Sequence, residues 1–190
     1  PYDYEKTKLI VKEMTELLAL ELVEKKLVTD QIVLTIGYDV ENLKNEEIRK
    51  NYKGEITEDR YGRKVPKHAH GTINLDHKTS STKLIMEAVT KLYDQIINEK
   101  LLTRRINLTA NKVIREEDAN KNNIFEQIDL FTNYEEINKK RRQEEKEKNL
   151  QYTMINIKKK YGKNAILKGM NLIEGGTTIE RNGQVGGHSE

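Results

Sequence analysis

The chain contains no cysteine and no tryptophan, and only two prolines and two phenylalanines among 190 residues. Without cysteine there is no disulfide framework, no thiolate nucleophile and no cysteine-ligated zinc, a composition compatible with a reducing cytoplasm. Two prolines exclude a Pro-rich stalk. Long apolar runs are also missing. Leu17-Leu18-Ala19-Leu20 is broken at once by Glu21, far short of the ~20 residues that span a bilayer. No signal-peptide pattern is present, so no membrane partner is expected. The first residue is Pro1 rather than Met, and the expectation is that a longer polypeptide precedes it.

What the chain has in excess is charge. Charged residues make up 34%, against about 25% in an ordinary globular protein, while hydrophobic residues make up 35%. A packed core therefore covers only part of the sequence. The net charge of +3 is not spread evenly, because the first hundred residues are close to neutral and the positive excess lies beyond them. That distribution suits a nucleic-acid or other acidic partner.

Residues 5–27 have helical spacing at Ile10, Met14, Leu17 and Leu18, with Asp3 as N-cap and Glu5 in the first turn. The period changes after Asp30. Ile32, Leu34, Ile36 and Tyr38 then alternate with Val33, Thr35 and Gly37, which is a strand. Residues 39–67 are polar and read as a long excursion. Gly71 to Leu75 is a second strand, and Ser80 or Ser81 caps a helix with the stripe Ile85, Ala88, Val89, Leu92, Tyr93, Ile96 and Ile97. Arg104 to Asn111 is a third strand.

This order predicts an α+β fold, a split β-α-β-β-α-β unit with its first strand upstream of Pro1 and two helices on one face of an antiparallel sheet. The domain spans 1–113. A linker over 114–133, a charged helix over 134–162 and a tail over 163–190 follow. The helix carries a narrow apolar stripe of Leu150, Met154, Ile157 and Tyr161.

The sheet face away from the helices shows Thr35, Thr72, Asn74, Arg105, Asn107 and Thr109, polar groups suited to water or to a polyanion. Cations gather near it: Arg104 and Arg105 open the last strand, and Arg60, Arg63, Lys64 and Lys67 lie in the excursion. Lys78 with Thr79, Ser80 and Ser81 precedes the second helix, where hydroxyls and amides offer a phosphate contact. Gln127-Ile128-Asp129-Leu130-Phe131 has the form of a docking peptide, an amide for one subsite and a Leu-Phe pair for an apolar pocket, or alternatively of one turn of helix.

His68, His70 and His77 invite a rival reading as a metal-dependent hydrolase, though no carboxylate cluster completes a site. Gly175-Gly176-Thr177-Thr178 and Gly186-Gly187-His188 lack the spacing of a nucleotide loop and read as a flexible or partner-ordered tail. A further rival is an adaptor that binds protein only.

Several of these runs together resemble a known family. They are Arg60-Tyr61-Gly62-Arg63-Lys64-Val65-Pro66-Lys67-His68-Ala69-His70-Gly71-Thr72, Thr79-Ser80-Ser81, Arg104-Arg105-Ile106, Gln127 to Phe131, and the tail from Lys160-Tyr161-Gly162-Lys163-Asn164 through Glu180-Arg181-Asn182 to His188. The chain resembles the C-terminal portion of Y-family translesion DNA polymerases, in the UmuC-like, UV-damage-repair branch of low-GC Gram-positive bacteria. The resemblance implies that 1–113 is most of the little finger domain, which grips primer-template DNA. It also implies that Gln127, Ile128, Asp129, Leu130 and Phe131 bind the sliding clamp, with Ile128 in place of the commoner Leu. Catalysis in that family uses Mg²⁺ ions on palm-domain carboxylates, a region this chain does not include, so no residue here is carried over as catalytic. A recombinase filament or accessory subunit is a further partner suggested for the tail.

Overall fold

The computed structural model describes residues 1–123 and 134–184. Asp3 caps the first helix by accepting a hydrogen bond from the Lys6 N–H, and α1 runs over Tyr4–Glu24. The chain turns through Lys26, at φ 54°, into β1, Leu27–Tyr38. Ile32, Leu34 and Ile36 on its inner face are fully buried.

The stretch read as a long loop is built from short elements: α2, Glu41–Lys44; α3, Glu46–Asn51; and a hairpin of β2, Ile56–Glu58, with β3, Lys64–Pro66. Local side-chain caps order it. Asn45 Oδ1 accepts from the Glu47 and Ile48 N–H groups at the start of α3, and Asp59 Oδ1 accepts from the Tyr61 and Arg63 N–H groups across the hairpin tip. Gly62 supplies the positive φ, +71°, that this turn needs.

β4, Ala69–Thr79, leads to α4, Thr82–Ile96, whose N-cap is Ser81. β5, Thr103–Asn111, follows, and β6, Ile114–Arg115, pairs with Leu27 and Val28. β1 is central in the sheet, flanked antiparallel by β4 and β5. Helices α1 and α4 pack on one face, and Val11, Leu22, Ile85, Val89, Leu92 and Tyr93 join the strand residues in one core. The fold is α+β with an antiparallel sheet, as the periodicities imply. Residues 114–123, read from composition as linker, form β6 and α5, Glu116–Asn123.

A further layer lies over α1. The charged helix α6 spans Tyr134–Tyr161, and its Ile155 packs on Leu20 and Val23 of α1. The stripe expected on α6 holds only in part. Met154 is buried and Ile157 half-buried as expected, but Leu150 and Tyr161 are exposed, and Gln151 and Ile155 are buried in their place. The cause is polar: the Gln151 amide donates to the Ser80 carbonyl and to Thr82 Oγ1, which turns Gln151 rather than Leu150 inward. Because α6 and the tail cover α1 opposite the sheet, α1 is buried on two sides, and Glu13 and Glu16 lie inside. No helix among the described residues is long and apolar enough to cross a membrane.

Candidate nucleic-acid interface

Antiparallel register lines up the outer residues of three strands in rows across the sheet. Asn74, Gln31 and Asn111 form one row, Thr72, Val33 and Thr109 the next, and His70, Thr35 and Asn107 a third. A fourth begins with Gly37 opposite Arg105. The side chains knit together, the Gln31 amide donating to Asn74 Oδ1 at 2.9 Å and Thr35 Oγ1 lying 2.9 Å from His70 Nδ1. Apart from Val33, hydrogen-bonding side chains thus cover the face, with positive charge at the end near Gly37.

A bulge creates that positive end. Between Gly37 and Tyr38 on β1 the partners on β5 step from Arg105 to Thr103, which leaves Arg104 as the extra residue and exposes two successive arginines. They are not equivalent. Arg104 Nη1 lies 3.1 Å from Oδ2 of Asp39, which is 1% exposed. Burial pushes the Asp39 carboxyl up, but the Glu41 N–H and Arg104 more than offset it and hold it below the usual carboxylate range. Arg105 has no ion-pair partner among the described residues, nor have Arg60 and Lys64. Arg63 is held by Asp59 at 2.6 Å. The β2–β3 hairpin stands over this end, leaving a cleft of about 590 Å³ against Thr35, Gly37, Arg105 and Asn107.

The opposite end of the face is arranged differently. Lys78 Nζ is 3.0 Å from Asp30 and donates to the Lys112 carbonyl at 2.7 Å. Thr79 and Ser80 are buried under α6. Glu147 of α6 accepts from Ser81 Oγ at 2.6 Å and the Lys83 N–H at 2.9 Å, and Glu144 accepts from Thr79 Oγ1 at 3.2 Å. The electropositive start of α4 is therefore occupied by carboxylates of the same chain. A phosphate at these amides requires α6 to leave. Replacing Glu147 with alanine is expected to weaken α6 docking by about 1 kcal/mol, read as faster amide exchange along α6. Unchanged exchange would show that the apolar contacts alone hold it.

Of the three histidines, His68 and His70 lie side by side with ring centroids 6.4 Å apart, and His70 bonds Thr35. His77, seven residues and roughly 23 Å beyond His70 along β4 at strand rise, lies 3.0 Å from Glu144 instead. Among the described residues no group of three or more His, Asp or Glu is placed to hold a metal ion.

The tail is ordered around one carboxylate that the sequence reading passed over. Glu13, 0% exposed, accepts from the Thr177 N–H and Oγ1, both at 3.0 Å, from the Thr178 N–H and Asn171 Nδ2, and from Arg181 at 3.3 Å. Burial pushes the Glu13 carboxyl up, and donors from Thr177, Asn171 and Thr178 more than offset it, so it sits below the usual carboxylate range. Glu16 pairs with Lys168 at 2.6 Å. The Gly175-Gly176-Thr177-Thr178 corner, expected to be flexible or ordered by a partner, does cradle an anion, and that anion belongs to α1. The available signal was two acids, three apart, amid the apolar positions of α1. Gln127 to Phe131 and Gly186-Gly187-His188 lie outside the described residues.

A family model described as the impB/mucB/samB family C-terminal domain matches residues 2–130. No curated protein matches the chain.

Proposed function

Since the chain belongs to the impB/mucB/samB family through its C-terminal domain, we propose that it is the DNA-gripping and clamp-tethering C-terminal portion of an error-prone lesion-bypass DNA polymerase. The family match supports a Y-family polymerase domain over residues 2–130. The observation that carries the DNA reading is the open sheet face, polar along its length and cationic at the Arg105 end. Arg105 and Lys64 neutralise phosphates, and Thr35, Thr72, Asn74 and Asn107 lie along a groove. Arg63 and Arg104 act beside their carboxylate partners, and Lys78, Thr79 and Ser80 join only when α6 is displaced.

Gln127 to Phe131 would tether the domain to a sliding clamp, raising its local concentration on DNA through a short connection. The docked tail, with Leu172 and Ile173 exposed, is where a recombinase filament or accessory subunit would bind. No catalytic step is assigned to these residues. The Mg²⁺ ions of nucleotidyl transfer would sit on palm carboxylates elsewhere in a polymerase.

The test uses primer-template DNA with and without a bacterial sliding clamp. The chain is expected to bind DNA with an affinity that falls steeply with salt, and Leu130→Ala with Phe131→Ala to abolish recruitment by the clamp while DNA binding persists. Clamp binding without any DNA affinity would favour the protein-only adaptor instead.

A further inference from the structure

The cleft beneath the β2–β3 hairpin differs in kind from the open sheet face beside it. Its floor is at Gly37, where an added Cβ would sit 3.3 Å from the Arg105 Cβ, so any side chain there would crowd Arg105 and fill the floor. Its volume of about 590 Å³ falls in the range of pockets for single small ligands, about 300–1,000 Å³, far too small for a duplex. Arg105 and Asn107 line the sheet wall, and Arg60 and Tyr61 line the hairpin wall.

Tyr61 is 76% exposed, the most exposed large hydrophobic side chain among the described residues. Its position is nonetheless fixed. The Arg63 guanidinium lies 5.0 Å over the ring centroid, Arg63 is gripped by Asp59, and Asp59 also accepts from the Tyr61 N–H. One ring face is thus braced by a cation and the other is left for a planar partner, with Arg60 and Arg105, which have no ion-pair partner among the described residues, lining the same cleft. A flat group next to an anion is what a nucleotide presents, and aromatic side chains beside cations are how single strands are held without sequence preference.

We propose that this cleft holds a single, unpaired DNA strand, with a base stacked on Tyr61 and its phosphates at Arg105 and Arg60. The assignment rests on the DNA-binding reading above and adds that the hairpin distinguishes a single-stranded extension from duplex. The preformed tip lowers the ordering cost of that contact.

Fluorescence anisotropy with the full chain tests it, using a blunt duplex and the same duplex with a single-stranded template overhang. The overhang is expected to bind more tightly, by about five- to 150-fold for one stacked base. Tyr61→Ala is expected to remove that advantage, and Tyr61→Phe, which keeps the ring, to retain it. A 2-aminopurine in the overhang should be quenched by the chain and not by Tyr61→Ala. Equal affinity for both substrates overturns the proposal, as does an overhang preference that survives Tyr61→Ala or a loss shared equally by both substrates. If neither substrate binds, the DNA reading itself fails, whereas blunt-duplex binding without an overhang preference removes this inference alone.

Discussion

Replacing Glu13 with alanine is expected to release the C-terminal tail from α1. Five donor groups converge on this one buried carboxylate, two of them backbone amides of the Thr177–Thr178 corner. Bonds to an ionised acceptor are the stronger kind, about 1.5–3 kcal/mol each. Their loss leaves Arg181, Asn171, the Thr177 hydroxyl and two amides without this acceptor. Removing one partner of a buried charged pair costs about 3–5 kcal/mol. Arg181 keeps some solvent access, with 26% of its side chain exposed, so the lower half of that range applies. That still exceeds what a segment of some twenty residues with few apolar anchors gains by docking. Limited proteolysis should cut Glu13→Ala after Lys163 or Lys168 and leave the domain of α1, β1, β4, α4 and β5 intact. Equal protection in the two proteins would mean that the Lys168–Glu16 pair and apolar contacts suffice.

The same carboxylate makes docking depend on pH, with a definite sign. Glu13 is held below the usual carboxylate range, so its contribution is fully present above the unfolded value, about 4.3, and is lost as pH falls through the lower folded value. Tail protection should be flat from pH 5 to 8 and collapse only in strong acid. Glu13→Gln, which keeps the size and cannot ionise, should remove that acid transition.

Periodicity made the domain legible because its core obeys two simple repeats. Ile32, Leu34, Ile36 and the α4 stripe face inward just as alternation and helical spacing require. The excursion at 39–67 was illegible because its order comes from Asn45 and Asp59 capping a few amides each, with almost no apolar repeat. The α6 face was legible at Met154 and Ile157 but not at Leu150 and Tyr161, because Gln151 and Glu147, polar residues, help determine which side docks. Glu13 was hidden for a related reason: an acid on a helix reads as solvent-facing until a second layer covers it. At the candidate interface, the outward residues were legible by default, as the complement of the core. The bulge that exposes Arg104 and Arg105 together was not, since a register shift is a property of two strands and not of either sequence.

Those two arginines should separate experimentally. Arg105 faces the groove without a carboxylate partner among the described residues, so Arg105→Ala should lower the slope of log K against log salt by about 1. Affinity should fall roughly tenfold at low salt, with no change in melting temperature. Arg104 is tied to Asp39, so Arg104→Ala should change the salt slope less and destabilise the fold instead. Asp39 would keep the Glu41 N–H but lose its cation while 1% exposed. Because the Arg104 side chain is 63% exposed, solvent screening reduces the expected cost to about 1–2 kcal/mol. The pH dependence adds a second discriminator. Asp39 is held low in the folded chain, so its pairing stabilises above the unfolded carboxylate value and not below the folded one. The stability gap between Arg104→Ala and the parent chain should therefore be present at pH 7 and close as Asp39 becomes protonated. The DNA-affinity gap of Arg105→Ala, set by a guanidinium that stays charged throughout, should not follow that titration. Identical salt slopes and melting curves for the two variants would mean that the bulge does not divide their roles.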